Sequence, residues 1–292
     1  MAQDWINLRA VGEVGNAPLL FPMVPNPVPT AISGRRLLSR AEWIDSNWMF
    51  LGMMLCPFVI MGLLELFPGS FRRKFSNALF VGWLVVPVSC FHQIEEHAYD
   101  LRKWRYAFVP AFNHGTGSQL FPLCDEISHL MCPLTARMTT YINVVTVWVG
   151  FPLTMVVAHL LGGRYQFAGL FNWGTATVNG LMGHILPALL TQEYNPGFVQ
   201  SLVMVPSGLV LMARYGRRCV ALCMLSGVLF HVVSFGLGIN LVLRTGCSEV
   251  VVAVLCALCS SVQPLLFAKF ACADPNAVEQ YINKENSAKK TE

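Results

Sequence analysis

Ten consecutive residues, "FHQIEEHAYD" at 91–100, carry two histidines, two glutamates and an aspartate. They follow directly on "ALFVGWLVVPVSC", a run with the character of a lipid-facing segment. Ionisable groups are costly in hydrocarbon, so where they occur they face an interior, pair with one another or react. On one regular helix over 77–100, at about 100° per residue, His92, Glu95 and Glu96 share an arc of roughly 100° with Tyr99 inside it. His97 is expected to point about 140° away from His92. An imidazole and two carboxylates at i, i+3 and i+4 let one helix offer two ligands to a metal, as Glu-x-x-His pairs do in di-metal bundles. The same face suits metal-free acid–base work, because two neighbouring carboxylates cannot both ionise cheaply in a low dielectric. The competing reading is an ordinary helix end, with Glu95 and Glu96 solvated and paired to Arg102 or Lys103.

Other polar groups in the apolar runs need partners too. His159 ends one run, and His184 and His231 lie inside two others. A lone histidine on an apolar helix is ordinarily a hydrogen-bonded structural residue. Three of them on different helices, beside a His/Glu/Glu face, point to one shared interior site. The expected centre is a divalent metal (zinc, manganese or iron) held by His92, Glu96 and His184. Glu95 and Glu96 are the candidate catalytic carboxylates, with Glu95 as general base toward water activated by the ion. Asn179, Tyr99, Glu126, His129 and His231 are secondary or substrate-binding candidates. Glu126 and His129 belong to a second constellation, "FPLCDEISHLMCP" at 121–133. A short helix there would set Glu126 and His129 at i, i+3 and Asp125 and His129 at i, i+4. Facing the first cluster, these residues would have the composition of a di-iron or di-manganese site; alone, they make the polar face of an interfacial helix.

"HQIEE" at 92–96 fits the motif that gives the HXXEE-domain membrane proteins their name. That family also has an Asn-x-x-x-His element on a later helix and then a Gly-x-x-x-Pro-Gly turn. The stretch "VNGLMGHILPALLTQEYNPGFVQS" at 178–201 resembles both. His184 and Pro196-Gly197 match in place and order. Asn179 stands five residues before His184 rather than four, which on a regular helix turns it about 140° from the histidine's face unless the helix carries a bulge. Gln192 occupies the position where the turn has glycine. The resemblance covers roughly 50–240 and implies a multi-spanning fold with an intramembrane polar site, of metal-dependent or hydrolytic character, in a largely uncharacterised family.

The elements that must position these residues are written in the composition. The chain is 54% hydrophobic and 12% charged, against about 25% charged in soluble domains. Seven runs approach the roughly 20 apolar residues of a membrane span, at about 47–67, 77–98, 139–161, 166–190, 197–213, 218–243 and 248–271. The expected fold is all-α: a polytopic transmembrane helix bundle of about seven spans, occupying 46–272. A polar, proline-rich segment over 1–45 precedes it, and a polar tail over 273–292 follows. "MAQDWINLRAVGEVGN" has neither the basic nor the apolar region of a cleavable signal, so the first span is expected to direct insertion. Cys56, Cys90, Cys219, Cys223, Cys256 and Cys259 lie in apolar runs, where a thiol behaves as a small hydrophobe. Cys124 and Cys132, flanking a polar loop, are the pair to test for redox chemistry.

The final "KKTE" resembles a dilysine retrieval address of the endoplasmic reticulum, read by a receptor, which would set the C-terminus in the cytosol. The positive-inside rule then agrees for 68–77 and 214–218. It disagrees for the 99–138 loop, with Arg102, Lys103, Arg105 and Arg137. No basic, aromatic-interleaved patch points to nucleic acid. The expected partner is a membrane lipid or other hydrophobic small molecule. The reading is an enzyme of hydrolase or isomerase type working from within the bilayer. One alternative is a di-iron-type lipid oxygenase or desaturase, although seven scattered histidines fall short of the histidine boxes of those enzymes. Another is a non-enzymatic carrier, receptor or accessory subunit, in which the cluster only stabilises helix packing.

Overall fold

The computed structural model describes residues 31–32, 36–37, 43–124 and 132–271. The fold is an all-α bundle, apart from a two-residue antiparallel pairing of Ala31–Ile32 with Arg36–Leu37. All seven apolar runs form helices: α1 Trp48–Leu66, α2 Ala78–Ala98, α3 Ala136–Leu161, α4 over 168–191, α5 Phe198–Ala213, α6 Arg217–Thr245 and α7 Val250–Phe270. Five of them (α1, α2, α3, α6 and α7) are long and apolar enough to cross a membrane. The run at 197–213 is shorter, a helix of 16 residues. The run at 166–190 is the helix the others enclose.

α4 sits at the centre because of what its sequence lacks. "AGLFNWGTATV" mixes glycine, alanine and threonine among three large side chains, and every residue of Ala168–Val178 is buried. Between helices in lipid there is no water to expel, so close approach of small residues and interhelical hydrogen bonds carry association. Gly174 of α4 and Gly227 of α6 are in such contact that a Cβ on either would strike the other helix's backbone. The Trp173 indole N–H donates to the Val81 carbonyl of α2 at 2.7 Å, tying α4 to the helix that bears "HQIEE".

Helix boundaries follow local chemistry. Asn77 caps α2, its Oδ1 accepting from the N–H groups of Leu79 and Phe80 at 2.9 and 3.2 Å. Thr135 caps α3 through Met138 N at 3.0 Å. Such caps satisfy donors that the first helical turn cannot.

The connections gather at two ends. One holds 43–47, 99–124, 132–135, the 192–197 turn and 246–249. The Arg137–Asp45 pair (2.8 Å), the Thr135–Glu249 hydrogen bond (3.0 Å) and the Leu101–Tyr194 hydrogen bond (3.2 Å) bind them together. A Cys124–Cys132 disulfide closes the loop between them. The other end holds 67–77, 162–167 and 214–216, joined by Arg214 donating to the Phe75 carbonyl at 2.9 Å and by Phe167 packing on Tyr215.

Candidate functional site

Three helix segments and one turn bring the polar residues together at the disulfide-bearing end of the bundle. The decisive local feature is a widening of two helices. Residues Ile94–Ala98 of α2 and Asn179–Ile185 of α4 are π-helical. In such turns the backbone bonds from i to i+5, so residues five apart come onto one face. That is why Asn179 reaches His184, with its Nδ2 at 3.4 Å from Nε2. It also corrects the expected direction of His97, which turns toward the cluster and puts Nε2 3.2 Å from Glu96 Oε2.

At the centre, His92 Nε2 faces His184 Nε2 at 3.1 Å. Glu96 lies between the rings, with Oε2 3.7 Å from His92 Nε2 and Oε1 3.4 Å from His184 Nε2. All three side chains are buried. His184 is locked by the 192–197 turn. Its Nδ1 is 2.6 Å from the Pro196 carbonyl and 2.9 Å from Asn195 Oδ1. Both oxygens are acceptors, so Nδ1 carries the proton and the Nε2 lone pair points inward. Asn179 Nδ2 lies 3.2 Å from His92 Nε2 as well. Gly197 completes the turn at φ +91°, and a Cβ there would stand 2.7 Å from His184 Nδ1 and 3.0 Å from His92 Cε1. Only glycine lets the backbone lie against both rings.

His92, Glu96 and His184 could hold a metal ion, and the fit is geometric. Nitrogen ligands sit about 2.0–2.1 Å from zinc, so two of them on a tetrahedral ion stand about 3.3 Å apart. The two nitrogens stand 3.1 Å apart, and the carboxylate approaches His184 Nε2 at 3.4 Å through Oε1 and His92 Nε2 at 3.7 Å through Oε2, all near that edge. No other group of three ligating side chains gathers this way among the described residues. The second shell is built as well. The His184 Nδ1–H to Pro196 carbonyl bond is the outer contact that orients a ligating imidazole. Phe108 packs on both His184 (5.1 Å) and His97 (5.7 Å), and Trp48 on His97 at 5.3 Å.

Glu95 is engaged differently. Its Oε1 accepts from Tyr194 Oη at 2.8 Å and Val199 N at 3.1 Å, and its Oε2 from Gln200 N at 2.8 Å. Val199 and Gln200 are the second and third residues of α5, so this carboxylate caps that helix across space, where the helix dipole favours a negative charge. Burial raises the Tyr194 phenol above its ordinary range, so it remains a donor at neutral pH.

A cavity of about 60 Å³ opens beside the cluster, between α2, α3, α4 and α6. His92, Glu96 and Asn179 line one part, His231 another, and Ile142, Phe151, Met204 and Phe235 stand among its walls. Behind His97 a hydrogen-bonded chain runs from Trp148 Nε1 to Gln93 Oε1 (3.3 Å), Gln93 Nε2 to Asn143 Oδ1 (3.1 Å), and Asn143 Nδ2 to His97 Nε2 (3.2 Å).

A family model described as a protein of unknown function with HXXEE motif matches residues 83–211. The segment is an HXXEE domain. It runs from α2 through α5 and contains His92, Glu95, Glu96, Asn179, His184 and Gly197, so the HXXEE domain supplies the whole cluster. The match is narrower than the 50–240 expected from the motifs, and leaves α1, α6 and α7 outside. No curated protein and no solved structure matches the chain.

Of the residues expected at the site, His92, Glu96, Asn179 and His184 converge, and His231 lines the cavity. Tyr99 does not join them. It leaves α2 in extended conformation, pairs its backbone with Arg105 and is 41% exposed. His159, at the opposite end of α3, is exposed. Glu126 and His129 lie outside the described residues. His97, Asn143 and Gln93 are the members that sequence reasoning missed. For His97 the obstacle was the assumption of a regular helix; Asn143 and Gln93 carry no signal by type or spacing.

Proposed function

We propose that the HXXEE domain is an intramembrane metal-dependent enzyme, of hydrolase or isomerase type, acting on a lipid or other hydrophobic substrate. The observation that carries this is the convergence of His92 Nε2, His184 Nε2 and the Glu96 carboxylate at ligand spacing, with the His184 proton fixed on the far nitrogen. Two inward lone pairs 3.1 Å apart repel unless a proton or a cation lies between them. A divalent ion there polarises a carbonyl or lowers the pKa of water. His97 packs against the Glu96 carboxylate, its Nε2 3.2 Å from Oε2. Asn179, turned about its last bond, would present Oδ1 as a fourth donor. Glu95, saturated by α5 and Tyr194, serves in this reading as a positioning residue that clamps the 192–197 turn and so His184. The cavity is where the head of the substrate enters, its polar group at the centre.

The di-metal oxygenase reading needs a second ligand set beside His92, Glu96 and His184, and no second set gathers among the described residues. The test is elemental analysis of the purified protein beside His184→Ala. About one zinc or manganese per chain, lost in the variant, supports the centre and directs a screen of ester and amide lipids. No metal in either sample, with the fold intact, sinks it and leaves a structural or metal-free acid–base cluster.

A further inference from the structure

The cavity has a second polar feature, outside the matched domain. His231 of α6 lines the wall that α6 contributes. Its Nδ1 lies 2.7 Å from the Gly227 carbonyl, one turn back on the same helix. A carbonyl only accepts, so Nδ1 carries the proton, and the neutral ring presents Nε2 as a lone-pair acceptor. The ring is held in place by two aromatics: Phe235 stacks on it at 5.5 Å with planes 25° apart, and Phe230 meets it edge-on at 5.2 Å. Both also line the cavity.

Of the other polar side chains on these walls, Thr146 Oγ1 and His92 Nδ1 are buried without a partner, and Thr139, Thr175, Gln93 and Asn143 are used. Thr139 and Thr175 return their hydroxyls to the Thr135 and Phe171 carbonyls of their own helices, at 2.9 and 3.4 Å. Gln93 and Asn143 bond each other, Trp148 and His97. Among the described residues none donates a hydrogen bond to His231 Nε2. An acceptor with a fixed tautomer and a clamped ring, set in an apolar wall, is built to meet a donor that arrives with a ligand. A site made to hydrogen-bond a substrate O–H or N–H discriminates strongly against the analogue that lacks it, because the buried acceptor is then left unpaired.

We propose that His231 is a recognition residue for a hydrogen-bond donor, a hydroxyl or an amide N–H, borne by the head of an amphiphile that enters the cavity. The centre at His92, Glu96 and His184 then acts on a neighbouring group of the same molecule. The placement of the reacting group rests on the proposed metal chemistry; the binding preference does not.

The experiment measures equilibrium binding to the full chain in detergent micelles, using matched probes. Hexadecanol is compared with hexadecyl methyl ether, and N-methylpalmitamide with N,N-dimethylpalmitamide. The wild-type protein is expected to favour the donor-bearing member of at least one pair by about tenfold, or about 1.4 kcal/mol. Preference in the alcohol pair alone names a hydroxyl, and preference in the amide pair alone names an N–H. His231→Leu is expected to bring both ratios below about twofold, whereas His231→Gln, which keeps an acceptor, retains part of the preference. Treating the wild-type protein with a chelator empties the proposed metal centre and is expected to leave the ratios unchanged, so failure of the centre and failure of recognition read differently. Equal binding of both members of both pairs by the wild type overturns the proposal, as does a preference that persists in a folded His231→Leu. Should that variant not fold, the wild-type ratios and His231→Gln still decide.

Discussion

Glu95 and Glu96 are neighbours in sequence and do unlike work because one widened helical turn sends their carboxylates to different places. Glu96 faces two imidazoles across the interior, and Glu95 faces the N-terminus of α5. Hydrogen bonds to an ionised group contribute about 1.5–3 kcal/mol each, and a buried carboxylate deprived of its charge loses part of that. Glu95→Gln is therefore expected to destabilise the protein by roughly 2 kcal/mol, read as a lower Tm in detergent, while metal content falls much less than in Glu96→Gln. Glu96→Gln is expected to reverse the pattern, with metal lost and Tm in a chelator unchanged or raised. Equal metal loss in both would show that Glu95 belongs to the centre after all.

At the scale of elements, the site depends on π-helical turns more than on any one side chain. A regular α2 and α4 would direct His97 and Asn179 away, and the cluster would reduce to His92, Glu96 and His184 without its supports. Deleting Gly183 from α4 removes the extra residue of Asn179–Ile185. The segment is then expected to relax to regular spacing, with Asn179 and His184 four apart. Because His184 also moves relative to the 192–197 turn, metal binding is expected to fall at least tenfold, or about 1.4 kcal/mol, measured by competition with a chromophoric chelator.

The helices themselves were legible in the sequence. Seven apolar runs appear as seven helices within a few residues of the expected bounds, because the need to satisfy every backbone group in lipid leaves little else for such a run to do. His92, Glu96 and His184 were legible too, since ionisable residues on apolar helices are rare enough to be noticed. The widened turns were not. Nothing in "IEEHA" or "NGLMGHI" distinguishes them by propensity, and what selects them is tertiary: Pro196 and Asn195 gripping His184, α5 gripping Glu95. The five-residue step from Asn179 to His184 was the one trace, read as a departure from the motif until the bulge gave it a reason.

For the whole molecule, the two ends differ in charge and in redox chemistry. Arg72, Arg73, Lys74, Arg164, Arg214, Arg217 and Arg218 stand at the end opposite the site, where Glu65 is the acidic residue nearby. At the site end the basic residues are partly matched, Arg102 by Asp100 and Arg137 by Asp45, both at 2.8 Å. Disulfides persist in oxidising compartments, so the expectation is that the site end faces away from the cytosol. A glycosylation acceptor inserted after Lys103 is expected to be modified in a eukaryotic membrane, and one inserted at Gly216 is not. The opposite result would invert the molecule.

The Cys124–Cys132 bridge thereby bears on supply. Should the proposed centre of His92, Glu96 and His184 bind an ion, that ion would reach the protein only after the chain has been threaded across the membrane. It would come from a pool that the reduced thiols of the cytosol no longer compete for. Occupancy of the centre would then follow the metal traffic of the compartment into which the loop was delivered, and a cell could hold a full complement of correctly folded chains that differ only in whether that traffic had served them.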